Sequence, residues 1–166
     1  MRNKFLQMRV FFVLLIVALL LVRQLEAKDN NFEGMLDGLL EGTVPQVTVN
    51  ALSSELTQEP PLLLDTREEE EFQLSHLKGA RWVGFSDFSL ERVKDLKKNT
   101  PIVTYCSVGK RSEIIGEKLQ AAGFTNVRNL RGGIFAWANK DKPVFSRDKK
   151  SESIHPYNSK WGKWLK

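Results

Sequence analysis

The 166-residue chain has a single thiol, Cys106. One cysteine excludes an internal disulfide, so nothing covalent beyond the backbone holds the fold. None lies in the first 27 residues, which excludes a lipid-modified bacterial lipoprotein. Internal repeats are lacking, as are RNA- or DNA-binding motifs. Cationic excess is also scarce outside the N-terminus. The formal net charge is +5, but Arg2, Lys4, Arg9 and Arg23 against Glu26 account for +3 of it, leaving +2 for the remainder. That is too little for a polyanion partner, so no nucleic acid is expected. Hairpin signals are missing between the strand-like runs. With 42% apolar and 27% charged residues the chain is globular rather than disordered.

The N-terminal segment has the order of a secretory signal: a basic stretch to Arg9, an unbroken apolar run Val10 to Val22, then Arg23-Gln24-Leu25-Glu26-Ala27 and polar Lys28-Asp29-Asn30-Asn31. Thirteen apolar residues give a helix of roughly 20 Å, short of a ~30 Å hydrocarbon core. Residues 1–27 are therefore expected to be a signal peptide cleaved after Ala27. Leu25, Arg23 and Glu26 depart from an Ala-x-Ala site, and an uncleaved anchor is the competing expectation. Either option places the rest outside the cytoplasmic membrane, in the periplasm of a bacterium. Residues 28–46 form a helical extension, with Phe32, Met35, Leu36, Leu39 and Leu40 at helical spacing over 31–42. The domain proper spans 47–144. A basic tail, 145–166, carries Trp161, Trp164 and Leu165 at i, i+3 and i+4. It either docks these residues on the domain or meets a membrane surface or partner.

Within the domain, strand-like runs alternate with helical ones. Val44 to Val49 alternates and reads as an edge strand with Pro45 at its start, and Asn50 caps a short helix. Leu62-Leu63-Leu64 is a buried strand ending in Asp65-Thr66-Arg67, and Glu68 to Glu71 reads as a solvated helix start. Arg81-Trp82-Val83 is a strand, Ser86-Asp87 caps a helix running to Lys98, and Ile102 to Tyr105 is the central strand. A helix from Arg111 stops at Gly123, Val127 to Leu130 is the last strand, and Ile134 to Asn139 is a short helix. This pattern predicts an α/β fold with a parallel sheet. Ligands of such sheets bind outside the carboxyl ends of the strands, where Asp65 and Cys106 fall.

Cys106-Ser107-Val108-Gly109-Lys110-Arg111-Ser112 carries the chemistry. A nucleophilic cysteine needs to be a thiolate, which nearby cations and a helix N-terminus favour. Gly109 permits a tight curl that turns successive N–H groups inward as an anion nest, and Ser112 can cap the helix or donate to the anion. The competing reading is an ordinary strand-to-helix turn with solvated cations.

Four blocks together resemble the rhodanese (sulfurtransferase) family: Leu62 to Arg67 with Glu71-Phe72; His76-Leu77-Lys78-Gly79-Ala80; the Cys106–Ser112 loop; and Asn129 to Ile134 with Trp137. The resemblance implies a five-stranded parallel sheet flanked by helices. It also implies that Cys106 takes a sulfane sulfur from a donor such as thiosulfate and passes it from a persulfide to cyanide or a thiol, with no cofactor and no metal. Ser107, Val108, Gly109, Lys110, Arg111 and Ser112 would bind substrate. Asp65 and Arg67 match the family's Asp-x-Arg as supporting residues, with Arg67 read as pairing to Glu71. His76 is read as fixing its loop, not as a base. Ser75 stands where the family usually has Gly. Ser107 stands where an Arg often follows the cysteine in thiosulfate-preferring members, which leaves the donor open. Phosphatase or arsenate reductase relatives of the same fold separate Cys and Arg by five residues, whereas four separate Cys106 from Arg111. A non-catalytic binding module would share the fold without the chemistry. A persulfide carrier serving a protein thiol would share the chemistry and differ only in partner.

Overall fold

The computed structural model describes residues 2–147 and 149–166, and within these not the side chains of 2–10, 22 and 24–30. The basic end of the leader and its Ala27 junction thus lie outside the described side chains. The chain forms two compact units, Met1–Asp37 and Gly38–Lys166. The first is occupied by one helix, α1 (Arg2–Leu39), where the sequence suggested a leader and a separate 31–42 helix. No proline or glycine interrupts the chain before Gly34, so nothing in the backbone ends the helix at the proposed junction. From Phe11 to Leu21 its large apolar side chains are exposed. Among the described residues, no helix is long and apolar enough to cross a membrane.

The second unit is built on a parallel sheet of five strands: β1 (Gln46–Val47), β2 (Leu62–Asp65), β3 (Arg81–Trp82), β4 (Ile102–Tyr105) and β5 (Val127–Leu130), in the order β1-β5-β4-β2-β3. The expected architecture is therefore observed, with β4 central and β1 at an edge. Helices α2 (Val49–Glu55), α3 (Glu69–Leu74), α4 (Lys110–Ala121) and α5 (Gly133–Asn139) follow β1, β2, β4 and β5 in turn. Leu64, Ile102 and Val127 share one sheet face, because side chains alternate along a strand. They pack with Ile115 and Leu119 of α4 and with Val44, Val83, Val93 and Phe124 as a buried cluster.

Three local expectations are corrected. Thr48, not Asn50, caps α2, its Oγ1 accepting from Ala51 N–H at 3.3 Å. The stretch after Ser86 is not a helix to Lys98 but a single 3-10 turn, Leu90–Val93, capped by Ser89. Asp87 is taken by Arg92, at 2.6 Å from Nη2, while Arg92 Nη1 donates to Val83 O at 2.7 Å. These bonds fold the segment back on itself. The tail also contains an antiparallel hairpin, β6 (Val144–Ser146) with β7 (Lys149–Ser151), followed by one turn of helix, α6 (Ser159–Gly162). Phe145 and His76 exchange backbone hydrogen bonds at 2.8 Å, which ties the hairpin to the loop after α3.

Candidate active site

Strands β2 and β4 are paired so that Asp65 lies opposite Tyr105. The residues that follow each strand therefore emerge side by side at the carboxyl edge of the sheet. Cys106 is the first residue past β4 and is 1% exposed. Its Sγ accepts the Gly109 N–H at 3.1 Å.

The loop around it is turned inside out by bonds to its carbonyls. Cys106 O accepts from Ile134 N–H at 2.9 Å and Ser107 O from Phe135 N–H at 3.1 Å, both at the start of α5. Gly109 O accepts from Glu113 N–H at 3.0 Å and from Asn129 Nδ2 at 2.9 Å. A trans peptide points its C=O and the next N–H in opposite directions. With these three carbonyls drawn outward, the N–H groups of Ser107, Val108 and Lys110 are turned the other way, into the loop. The first turn of α4 adds its own N-terminal partial charge. N–H groups turned inward in this way can hold an anion.

Two glycines make this possible. Gly109, at φ 110°, is the N-cap of α4, a conformation that L side chains rarely adopt. At Gly133 a Cβ would stand 2.2 Å from Cys106 O and 2.7 Å from Ser107 O. Only a bare backbone lets α5 approach the cysteine loop closely enough to hold those carbonyls.

The structure brings all seven loop residues together, but their roles differ from the simplest expectation. Arg111 makes a bidentate pair with Glu71, at 2.7 and 2.9 Å, and also donates to Ser107 Oγ at 2.9 Å. Ser107 Oγ in turn lies 3.0 Å from Glu71 Oε1. Lys110 Nζ stands 2.5 Å from Glu41 and 3.6 Å from Glu113. Neither cation is unpaired. Ser112 does not cap the helix; it is buried, and its Oγ donates to Asn129 Oδ1 at 2.7 Å, which orients the amide that holds Gly109 O.

Glu71, read from sequence as part of a solvated helix start and as the partner of Arg67, is instead buried in the site. It belongs to a run of four glutamates, yet is 2% exposed. It occupies the third position of α3, where a carboxylate reaches back to the Glu68 N–H, at 3.1 Å. Burial works against its charge. The hydrogen bonds and charge of Arg111, the Glu68 N–H and the charge of Arg67 outweigh that and hold the carboxyl below the usual carboxylate range. Burial likewise opposes the Arg111 cation, but Glu71 and the Cys106 sulfur favour it, and its pKa is raised.

Arg67 does not pair with Glu71 as expected. It is fully buried and binds Asp65, Nε to Oδ1 at 3.0 Å and Nη2 to Oδ2 at 2.6 Å. Nη2 also donates to Ser75 O at 2.5 Å. The pair thus clamps the end of β2 to the end of α3, a supporting role. His76 Nδ1 lies 2.9 Å from Phe72 O and its ring stacks on Phe72, in keeping with a fixing role.

A cavity of about 180 Å³ opens beside the sulfur, lined by Cys106, Val108 and Arg111 together with Leu39, Tyr157 and Trp161. The Tyr157 ring lies 4.5 Å from the Arg111 guanidinium carbon. The tail aromatics therefore dock on the domain, at this site. The helical spacing of the tail singles out Trp161 and Trp164; extending the same stripe back by four residues reaches Tyr157. Among the described residues there is no cluster of His, Cys, Asp and Glu able to hold a metal.

Residues 48–140 match the rhodanese-like domain. The protein YqhL of Bacillus subtilis is 34% identical over 80 residues, 48% of this chain and 63% of that protein. The putative sulfur carrier protein YrkF of the same organism is 27% identical over 99 residues, 59% of this chain and 53% of that one. The match thus spans under two thirds of either relative's length. The solution structure of the rhodanese-like domain of the Alr3790 protein from Anabaena superposes with a TM-score of 0.58 at 26% identity, covering 69% of this chain and 89% of that one. The chain belongs to the rhodanese family.

Proposed function

We propose that this protein is a sulfurtransferase that works through a persulfide on Cys106. The Cys106 thiolate attacks the sulfane sulfur of a donor such as thiosulfate. The donor's S–S bond breaks, a new S–S bond forms, and sulfite leaves with the electron pair. A thiophilic acceptor, cyanide or a thiol, then takes the outer sulfur and returns the thiolate. Covalent catalysis of this type gives ping-pong kinetics.

The observation that carries the reading is the sulfur held at 3.1 Å from the Gly109 N–H inside a loop whose carbonyls are pulled outward. Such a nest stabilises an anionic terminal sulfur without a full positive charge beside it. The putative sulfur carrier YrkF among the relatives is in keeping with sulfur transfer. The four-residue spacing to Arg111 makes a smaller cradle than phosphatase relatives use.

The test is the intact mass of the reduced full-length chain after thiosulfate. Gain of one sulfur, lost on adding cyanide and absent from Cys106→Ser, is the expected result. No gain from any sulfane donor would sink the proposal and favour a binding role.

Residues 1–27 are proposed to direct export, as a cleaved signal or an outward-facing anchor. The exposed apolar stripe Phe11 to Leu21 supports this reading. N-terminal sequencing of the mature protein after cell fractionation distinguishes the two forms.

A further inference from the structure

The wall that the tail adds to the sulfur site has its own chemistry. Tyr157 and Trp161 of the tail line the cavity together with Val108 and Leu39. Besides the Tyr157–Arg111 contact, the aromatic pair is anchored outside the cysteine loop. Asn158 Oδ1 accepts from Trp161 N–H at 3.2 Å and caps the α6 turn. Asn139 of α5 holds the far end, its Nδ2 donating to Trp164 O at 2.7 Å and its Oδ1 accepting from Lys166 N–H at 2.8 Å. Tyr157 has φ 62°, a conformation rarely adopted by aromatic residues, and its N–H donates to His155 Nδ1 at 3.1 Å. The ring is set on Arg111 at a cost in backbone strain.

Charge around the loop points the same way. Its two cations face three carboxylates, Glu41, Glu71 and Glu113. A dianion such as thiosulfate finds no net positive charge there, while the backbone nest still suits one negative charge. The volume of about 180 Å³ is close to that of the roughly 150 Å³ apolar cavity known to take one benzene.

We infer that Tyr157 and Trp161 are specificity-determining residues that seat an apolar group of the sulfur donor, and that the preferred donor class is a monoanionic thiosulfonate bearing an apolar substituent of about one ring. This rests on the sulfur-transfer reading above. The Cys106 thiolate attacks the terminal sulfur of R–SO2–S⁻. The S–S bond breaks, R–SO2⁻ leaves with the electron pair, and the Cys106 persulfide anion remains, so charge and atoms balance without a further reactant. The ring of R lies against Trp161 and Val108, its sulfonyl oxygens towards the loop N–H groups.

The test compares benzenethiosulfonate, methanethiosulfonate and thiosulfate as donors to the reduced full-length chain. Persulfide formation is followed by intact mass, and each rate is divided by that of a small free thiol with the same donor. The expected order is benzene, then methane, then thiosulfate, with the ring gaining roughly tenfold or more over the methyl, as an apolar pocket discriminates by missing carbon. Trp161→Ala should collapse the ratio of benzenethiosulfonate to thiosulfate, and Trp161→Phe should restore most of it. Equal normalised rates for the three donors in the unaltered protein overturn the inference while leaving sulfur transfer intact, and that comparison needs no variant to fold. A folded Trp161→Ala that keeps the full ratio overturns it as well. No sulfur gain from any donor removes the sulfur-transfer reading itself, and the inference with it.

Discussion

Asp65–Arg67 and Glu71–Arg111 are made of the same two functional groups, and both lie at the carboxyl edge of the sheet. The first is sealed: both side chains are 0% exposed, and the arginine also holds Ser75 O. The second borders a cavity: the Glu71 side chain is 3% exposed but that of Arg111 is 14%, with Tyr157 against its guanidinium and Ser107 Oγ accepting from it. A pair closed on every side can only hold structure together. A pair with one open side sets the charge that an incoming molecule meets. Burial alone therefore does not identify the functional arginine; what its guanidinium faces does.

The sharpest way to break this comparison is to remove one partner from each pair. Asp65→Ala leaves Arg67 charged and enclosed, and should cost about 3–5 kcal/mol, the range for an orphaned buried partner. Chemical denaturation reads this as a lower midpoint, with the effect on sulfur transfer following stability alone. Glu71→Gln should cost less, about 1.5–3 kcal/mol for a hydrogen bond to a charged group. It should act mainly on the site, because the variant leaves the Arg111 charge unopposed. The KM for thiosulfate should fall relative to that for benzenethiosulfonate, and steady-state kinetics with both donors would show it. A parallel change for the two donors would mean that Glu71 is only a structural partner.

Acid should act on the second pair as well. The Glu71 carboxyl titrates below the usual carboxylate range in the folded protein. Its contribution is thus fully present above that range and is lost as pH falls through the depressed folded value. Stability followed by urea unfolding should decline below the ordinary carboxylate range, and less steeply in Glu71→Gln. The smallest effect is expected at Arg128–Glu55, whose side chains are 27% and 33% exposed. Glu55→Ala should shift stability by at most about 1 kcal/mol, as partly solvated pairs do, with no change in donor preference.

The sheet was legible from sequence because its inner strands are short apolar runs, Leu62 to Leu64 and Ile102 to Tyr105, ending at residues of distinct chemistry. The cysteine loop was legible because strand, glycine, cations and helix follow in sequence. What joins distant segments was not. Glu71 and Arg111 are forty residues apart, and Lys110 and Glu41 sixty-nine, so their neutralisation follows only from the fold. The β6–β7 hairpin carries no turn signal, since its turn uses Arg147 at φ 45° rather than a glycine. The helix expected after Ser86 looked helical by its cap alone. Phe85, Phe88, Val93 and Leu96 instead reach the core from a folded-back loop.

Gly133 has a wider reach than its size suggests. No atom of it lines the cavity, yet a methyl group there would collide with the carbonyls of Cys106 and Ser107. The fold can relieve that collision by moving the cysteine loop off the start of α5. The domain could then retain its sheet while the peptide groups rotated and withdrew their N–H groups from the sulfur. Position 133 acts as a set-screw for the Cys106 loop, where a mutation can displace the sulfur's surroundings in a protein that still looks folded.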